Sequence, residues 1–301
     1  MVKSVLVGLV VAGLSFLAGN ASADSKSWGA LKGKLPAGTI VVGGADIAAM
    51  RATPSFPKLV EWISSEDKDV GAILGVVKST CGMELPAMVG DIALAVNDNG
   101  KGVMVVGLSG TDQTKVTDCI NKVIAKVDPK KKLVGKPSGK LTEYSVTGEN
   151  DKLYVQWLAP DLVAISLEEN GHGPLDAMAA GAPASGDLAT YLGKSGTVAS
   201  AWAAFLINDD GAKGGWGTLA LGSTIKFALR VSAASPKDAD KGRKEMLGIQ
   251  KKGLERSAKL PEMKKVFQAL KVGGKGTEVT VDVAVPEAAL PQLFPAFDKV
   301  F

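Results

Sequence analysis

Hydrolytic chemistry near neutral pH usually needs a side chain that exchanges a proton there, and this chain of 301 residues has one histidine, His172. A Ser-His-Asp or Cys-His arrangement would have to use it. It lies in Glu168-Glu169-Asn170-Gly171-His172-Gly173-Pro174, a glycine-rich stretch where a solvated loop imidazole is expected. The cysteines are Cys81 and Cys119. Zinc sites draw several ligands from His and Cys, and three such residues scattered along the chain do not make that pattern. No metal or cofactor is expected.

Short matches to catalytic motifs fail on order or context. Lys194-Ser195-Gly196 before Thr197 resembles the Lys-Ser/Thr-Gly element of penicillin-binding proteins. The Ser-x-x-Lys partner should precede it, but Ser223-Thr224-Ile225-Lys226 follows it and reads as strand where a helix start is needed. Ser65-Glu66-Asp67-Lys68 has the right order and lies in a charged loop. Gly107-Leu108-Ser109-Gly110-Thr111 joins a strand to a helix start but lacks the Lys-Ser/Thr pair of a phosphate loop. A tight turn with Thr111 as N-cap is expected there. Asn208-Asp209-Asp210-Gly211 offers oxygens to calcium without the glutamate that closes an EF-hand, so it reads as a mobile acidic loop. No catalytic residue is assigned, and the protein is expected not to be an enzyme.

The N-terminus has the three parts of a signal peptide: Lys3, an uncharged apolar run from Val5 to Ala18, and Ala21-Ser22-Ala23. Cleavage between Ala23 and Asp24 is predicted. The run is shorter than the ~20 apolar residues a spanning helix needs. No later segment is long and apolar enough to span. The processed chain, about 280 residues, is expected to be soluble and periplasmic or secreted. In that compartment Cys81 and Cys119 are expected to pair, with two separate buried thiols as the alternative.

The formal charge of +4 and pI near 8.8 are mild. No basic run is interleaved with stacking aromatics, so nucleic acid is not the expected partner. The richest basic stretch runs from Lys237 to Lys271. Within it Lys251, Lys252 and Arg256 are candidate contacts for an anionic envelope polymer or lipid surface. A solvated helix face is the competing reading. Gly242, Gly248 and Gly253 weaken this helix, which makes it either mobile or tightly packed.

These residues must be held by elements that the hydrophobic pattern predicts. Residues 24–36 read as a flexible, Gly/Lys-rich leader. Strands are predicted at 91–96 and 102–108 around the turn Asn97-Asp98-Asn99-Gly100. A helix should carry Val116, Cys119, Ile120, Val123 and Val127 on one apolar stripe. Residues 129–140 read as a basic loop, followed by strands at 141–146, 153–158 and 162–167. The second half reads as a strand at 197–207, a flexible loop at 208–215, and strands at 216–221 and 224–231. A long helix follows at 236–258 with Met246, Leu247, Gln250 and Leu254 inward, then a helix to 270, a strand at 278–283 and a C-terminal helix. Adjacent hairpins without strict strand–helix alternation give the class α+β, antiparallel sheets packed with helices. The two halves, 37–185 and 186–301, follow similar element orders, which suggests an old internal duplication.

The run Ala45-Asp46-Ile47-Ala48-Ala49-Met50-Arg51-Ala52-Thr53-Pro54-Ser55-Phe56, with Cys81-Gly82 and Cys119 in a helix, resembles a group of uncharacterised exported envelope proteins of myxobacteria and their relatives. Met50 and Thr53 differ from that group's turn. The resemblance implies an exported domain with a disulfide, and no activity. The expected role is therefore a non-enzymatic binding or scaffold protein of the cell envelope. A periplasmic hydrolase using dispersed carboxylates and a carrier of a hydrophobic ligand stay open as alternatives.

Overall fold

A computed structural model describes residues 25–54, 56, 57, 60, 61, 64, 68–196, 200–209 and 211–289. The signal segment expected from the sequence with its Ala23–Asp24 junction, residues 65–67, Thr197 and the part of the expected C-terminal helix beyond 289 lie outside the described residues.

In chain order the helices are α1 (Lys26–Leu31), α2 (Ile47–Arg51), α3 (Lys68–Cys81), α4 (Leu85–Met88), α5 (Gln113–Val127), α6 (Gly173–Ala179), α7 (Gly186–Ser195), α8 (Pro236–Arg256) and α9 (Pro261–Ala269). The strands are β1 (Thr39–Ala45), β2 (Val89–Asn97), β3 (Gly102–Leu108), β4 (Leu133–Ser138), β5 (Leu141–Val146), β6 (Lys152–Ala159) and β7 (Leu162–Ser166). They continue with β8 (Ala201–Asp209), β9 (Ala212–Ala220), β10 (Thr224–Ala233), β11 (Lys271–Gly273) and β12 (Glu278–Pro286). The class is α+β, with every described strand pair antiparallel.

The chain divides into two compact units. One holds Asp24–Ala48 and Ile63–Ala184, the other Ala49–Trp62 and Ser185–Phe301. In the first, the strand order is β1-β2-β3-β7-β6-β5-β4. In the second it is β8-β9-β10-β12-β11. In both, three strands lie side by side in chain order and a later strand returns beside the third, but in the first unit α2–α4 separate β1 from β2 and β4–β6 precede the returning β7, whereas β8–β9–β10 are consecutive.

Local chemistry explains most elements. Asn97 Oδ1 accepts from the amides of Asn99 and Lys101, both at 3.0 Å, and Gly100 takes φ +76°, so the β2–β3 hairpin closes as its residue types require. Helix α8 starts at Ser235, whose Oγ accepts from the Asp238 amide, with Pro236 at the first helical position.

Several expectations are corrected. Residues 24–36 are not a flexible leader. Ser25 caps α1, and Trp28, Leu31 and Leu35 are buried at 4%, 0% and 5% exposure. Trp28 and Leu31 share one helix face at i and i+3, and Leu35 lies beyond the helix in a bridge to Ala182, so the apolar set is hidden in the sequence by the surrounding glycines and lysines. Residues 129–140 contain strand β4, despite Pro137 and the exposed Lys136. Among the described residues β4 pairs only with β5, and an edge strand tolerates a missing donor and charge. The N-cap of α5 is Asp112, which accepts from the Lys115 amide at 3.0 Å, not Thr111. Residues 208–215 are not a flexible loop. Asp209 pairs with Ala212 in a tight hairpin around Gly211, and Gly214 and Gly215 are strand residues. A Cβ on Gly215 would overlap the Arg230 carbonyl, so glycine serves close strand approach there rather than freedom. Helix α8 ends at Arg256 and not at 258. Leu247 is 49% exposed, while Met246 packs with Ala233, Ala239 and Val279. Successive helical residues turn by 100°, so only one of the two can face inward. The short strand β11 follows α9 without a signal of its own in the sequence.

Candidate functional site

In the first unit, strand registers define two faces of one sheet. One ladder runs Ala93–Val105–Ala164, and beside it Ala95–Val103–Ser166. Five of these six residues have no exposed surface, and Ser166 is 6% exposed. Helices α1 and α6 pack on these strands, with Trp28, Leu31, Leu175 and Met178 buried. The other face carries Ile92–Val106–Val163–Trp157 and Leu94–Met104–Ile165–Val155. It is more apolar and less covered. Val106, Val155 and Val163 are buried, and Ile92, Leu94, Met104, Ile165 and Trp157 are half-buried.

Among the described residues, the side chains packed against Val106, Val155 and Val163 all come from β2, β3, β5, β6 and β7, and none from a helix. Polar atoms at the rim are also unspent. Trp157 Nε1 is buried without a hydrogen-bond partner, as is Thr111 Oγ1 in the turn that follows Leu108 of the same face.

Cys81 and Cys119 are joined, with Cα atoms 5.5 Å apart. The bond ties the end of α3 to the middle of α5. The stripe of α5 is only partly used: Cys119 is 5% exposed, Val116 and Val123 are half-buried, and Ile120 is 39% exposed.

A shallow cleft of about 180 Å³ lies elsewhere in this unit, among Pro36, Thr39, Asn97, Lys101, Glu168 and Pro174. Lys101 Nζ meets Glu168 Oε1 at 2.5 Å inside it, so its charges satisfy each other. Nearby in sequence, His172 is exposed but not a free loop imidazole. Its Nδ1 lies 2.6 Å from Asp176 Oδ2, and its ring meets Tyr154 edge-on at 5.2 Å. Tyr154 donates to Glu143 at 3.0 Å, and burial raises its pKa. Lys152, 3.2 Å from Glu143, lowers that carboxyl's pKa. This array is a chain of satisfied pairs without a nucleophile.

The remaining sequence candidates are not brought together. Ser195 ends α7, its hydroxyl donating to Leu192 O. Ser223 precedes β10. Asp91, the buried carboxylate among the described residues, is committed to the Ser27 amide at 2.7 Å. Lys251, Lys252 and Arg256 are exposed on α8, in the second unit. Among the described residues, no group of three or more His, Cys, Asp or Glu could hold a metal, and no helix is long and apolar enough to cross a membrane. The open apolar face was not marked by the sequence reading. Its signal was the run Ile92-Ala93-Leu94-Ala95-Val96, apolar on both sides of the strand.

No family model and no curated protein matches the chain. Among solved structures it is similar to one described as crystal form I of TP0453, at 11% identity and a TM-score of 0.45. The match covers 92% of this chain and 98% of that one. A likeness of this degree says nothing about activity.

Proposed function

We propose that the protein is a non-enzymatic binding protein of an exported compartment, and that it holds an apolar ligand against the open face of the first unit's sheet. One observation carries this reading: two apolar faces of one sheet are covered unequally. An apolar sheet face left only half-buried among the described residues gains by binding something apolar. The signal-like N-terminus and the Cys81–Cys119 bond support export, as does the resemblance to exported envelope proteins. The hydrolase reading has less support, because its two carboxylates would flank a cleft and Asp91 is already committed.

Native mass spectrometry of protein purified from its own envelope tests the proposal, together with displacement of a fluorescent apolar probe. An apolar species should co-purify, and Met104→Glu should weaken probe binding at least tenfold. Absence of any co-purifying species, with probe binding indifferent to Met104→Glu, overturns it.

A further inference from the structure

The outer face of α8 bears a row of lysines without an ion-pair partner among the described residues. Lys237, Lys241, Lys244, Lys251 and Lys252 are all exposed. At 100° per residue they fall within an arc of about 100°, along roughly 22 Å of helix. None of the five forms an ion pair among the described residues, whereas two other bases of this region do. Arg243 is paired to Asp240, and Lys265 to Glu262 at 2.6 Å. Glu255 is the acid within the arc. Unpaired cations held in one row on a rigid helix repel one another, and they lower their energy by meeting a surface of opposite charge.

Leu247 decides which surface. It sits at the flank of the lysine arc, 49% exposed, between Lys244 and Lys251. The opposite side of the helix is fully engaged. Met246 packs inward, Gln250 donates to the carbonyls of Phe267 and Leu270 at 2.8 Å each, and Gly253 lies under the Phe267 ring. The helix therefore presents its outer face as a fixed bar and cannot turn to hide Leu247. An anionic polysaccharide offers an exposed leucine nothing. A bilayer surface offers both charge and an apolar boundary for the side chain to enter. We propose that the outer face of α8 is a docking surface for an anionic lipid bilayer, with the lysine row on the headgroups and Leu247 in the acyl boundary. The lysine row extends the contact from Lys251 and Lys252 back by about four turns of helix to Lys237, and this surface is independent of the apolar ligand of the first unit.

The test is co-sedimentation of the processed protein with vesicles of phosphatidylcholine alone and of phosphatidylcholine mixed with phosphatidylglycerol, at low and at physiological salt. Binding should require phosphatidylglycerol and weaken as salt rises, because the Debye length shortens to about 8 Å at physiological ionic strength. Each lysine lost should cost roughly fivefold in affinity. Lys244→Glu with Lys251→Glu should abolish sedimentation while circular dichroism and the thermal midpoint stay unchanged, since exposed charges contribute little to stability. Leu247→Ser should weaken vesicle binding without altering the salt dependence. Failure to bind phosphatidylglycerol vesicles at low salt overturns the proposal. So does binding to isolated peptidoglycan alone, or vesicle binding that survives the double charge reversal. None of these outcomes bears on probe binding at Met104, so the two proposals fail separately.

Discussion

The backbone amide of Ser27 donates to Asp91 Oδ1 at 2.7 Å, and both residues are buried. This bond fastens α1, near the start of the described chain, to strand β2, 64 residues later. A buried carboxylate needs such a donor, because leaving it unpaired costs more than the bond itself contributes. Asp91→Ala removes the acceptor and strands the amide. The expected loss is about 2–3 kcal/mol, measured by urea denaturation. A change below ~0.5 kcal/mol would show that α1 is held by Trp28 and Leu31 alone.

The same helix is sensitive to acid. Lys26 pairs with Asp161 at the surface, and its hydrogen bond holds the Asp161 carboxyl below its ordinary value of 3.8. A depressed carboxyl stabilises the folded state above its unfolded value and loses that contribution as pH falls through the folded value. Lys26 is raised above 10.5 by the same bond, so its contribution holds below 10.5 and fades at higher pH. Hydrogen-exchange protection of residues 26–31 should therefore be steady between these limits and fall at the acid end. Lys26→Gln should flatten the acid dependence, and an unchanged profile in that variant would refute the assignment.

Loss of the Cys81–Cys119 bond should be costly. It closes a separation of 38 residues, which in the chain-entropy account stabilises by about 4 kcal/mol. Cys81→Ala with Cys119→Ala should lower stability by that order in guanidinium melts. Reduction of the unsubstituted protein should reproduce the effect, and insensitivity to both would count against it.

Two glycines of α8 should respond in opposite directions to alanine. A Cβ on Gly253 would run into the Phe267 ring, whereas one on Gly248 meets nothing within 4 Å. Gly248→Ala should stabilise by up to about 1 kcal/mol through helix propensity. Gly253→Ala should destabilise by roughly 1–3 kcal/mol, because the ring must leave its place in the cluster with Met263. Paired thermal melts decide it, and equal shifts of one sign would refute the packing argument.

Features written locally were legible in the sequence. The Asn-Asp-Asn-Gly turn, the period-two strands beside it and the helical stripe through Cys119 each follow from residues within one or two turns of chain. The α+β class follows from their order. Other features depend on distant contacts. The set Trp28, Leu31 and Leu35 reads as a leader until Asp91 supplies its anchor. Residues 133–138 carry no period of their own and become strand because β5 pairs with them. Met246 and Leu247 are both apolar, and the position of β10 and β12 decides that Met246, the less hydrophobic of the two, is the one packed inward. The run Ile92-Ala93-Leu94-Ala95-Val96 determines by itself that both sides of β2 are apolar. Tertiary structure alone decided that α1 and α6 cover the alanine side and that, among the described residues, no helix packs on the cluster of the isoleucine side. Hydrophobic burial is non-directional, so a sequence can mark a surface for covering without specifying what comes to cover it.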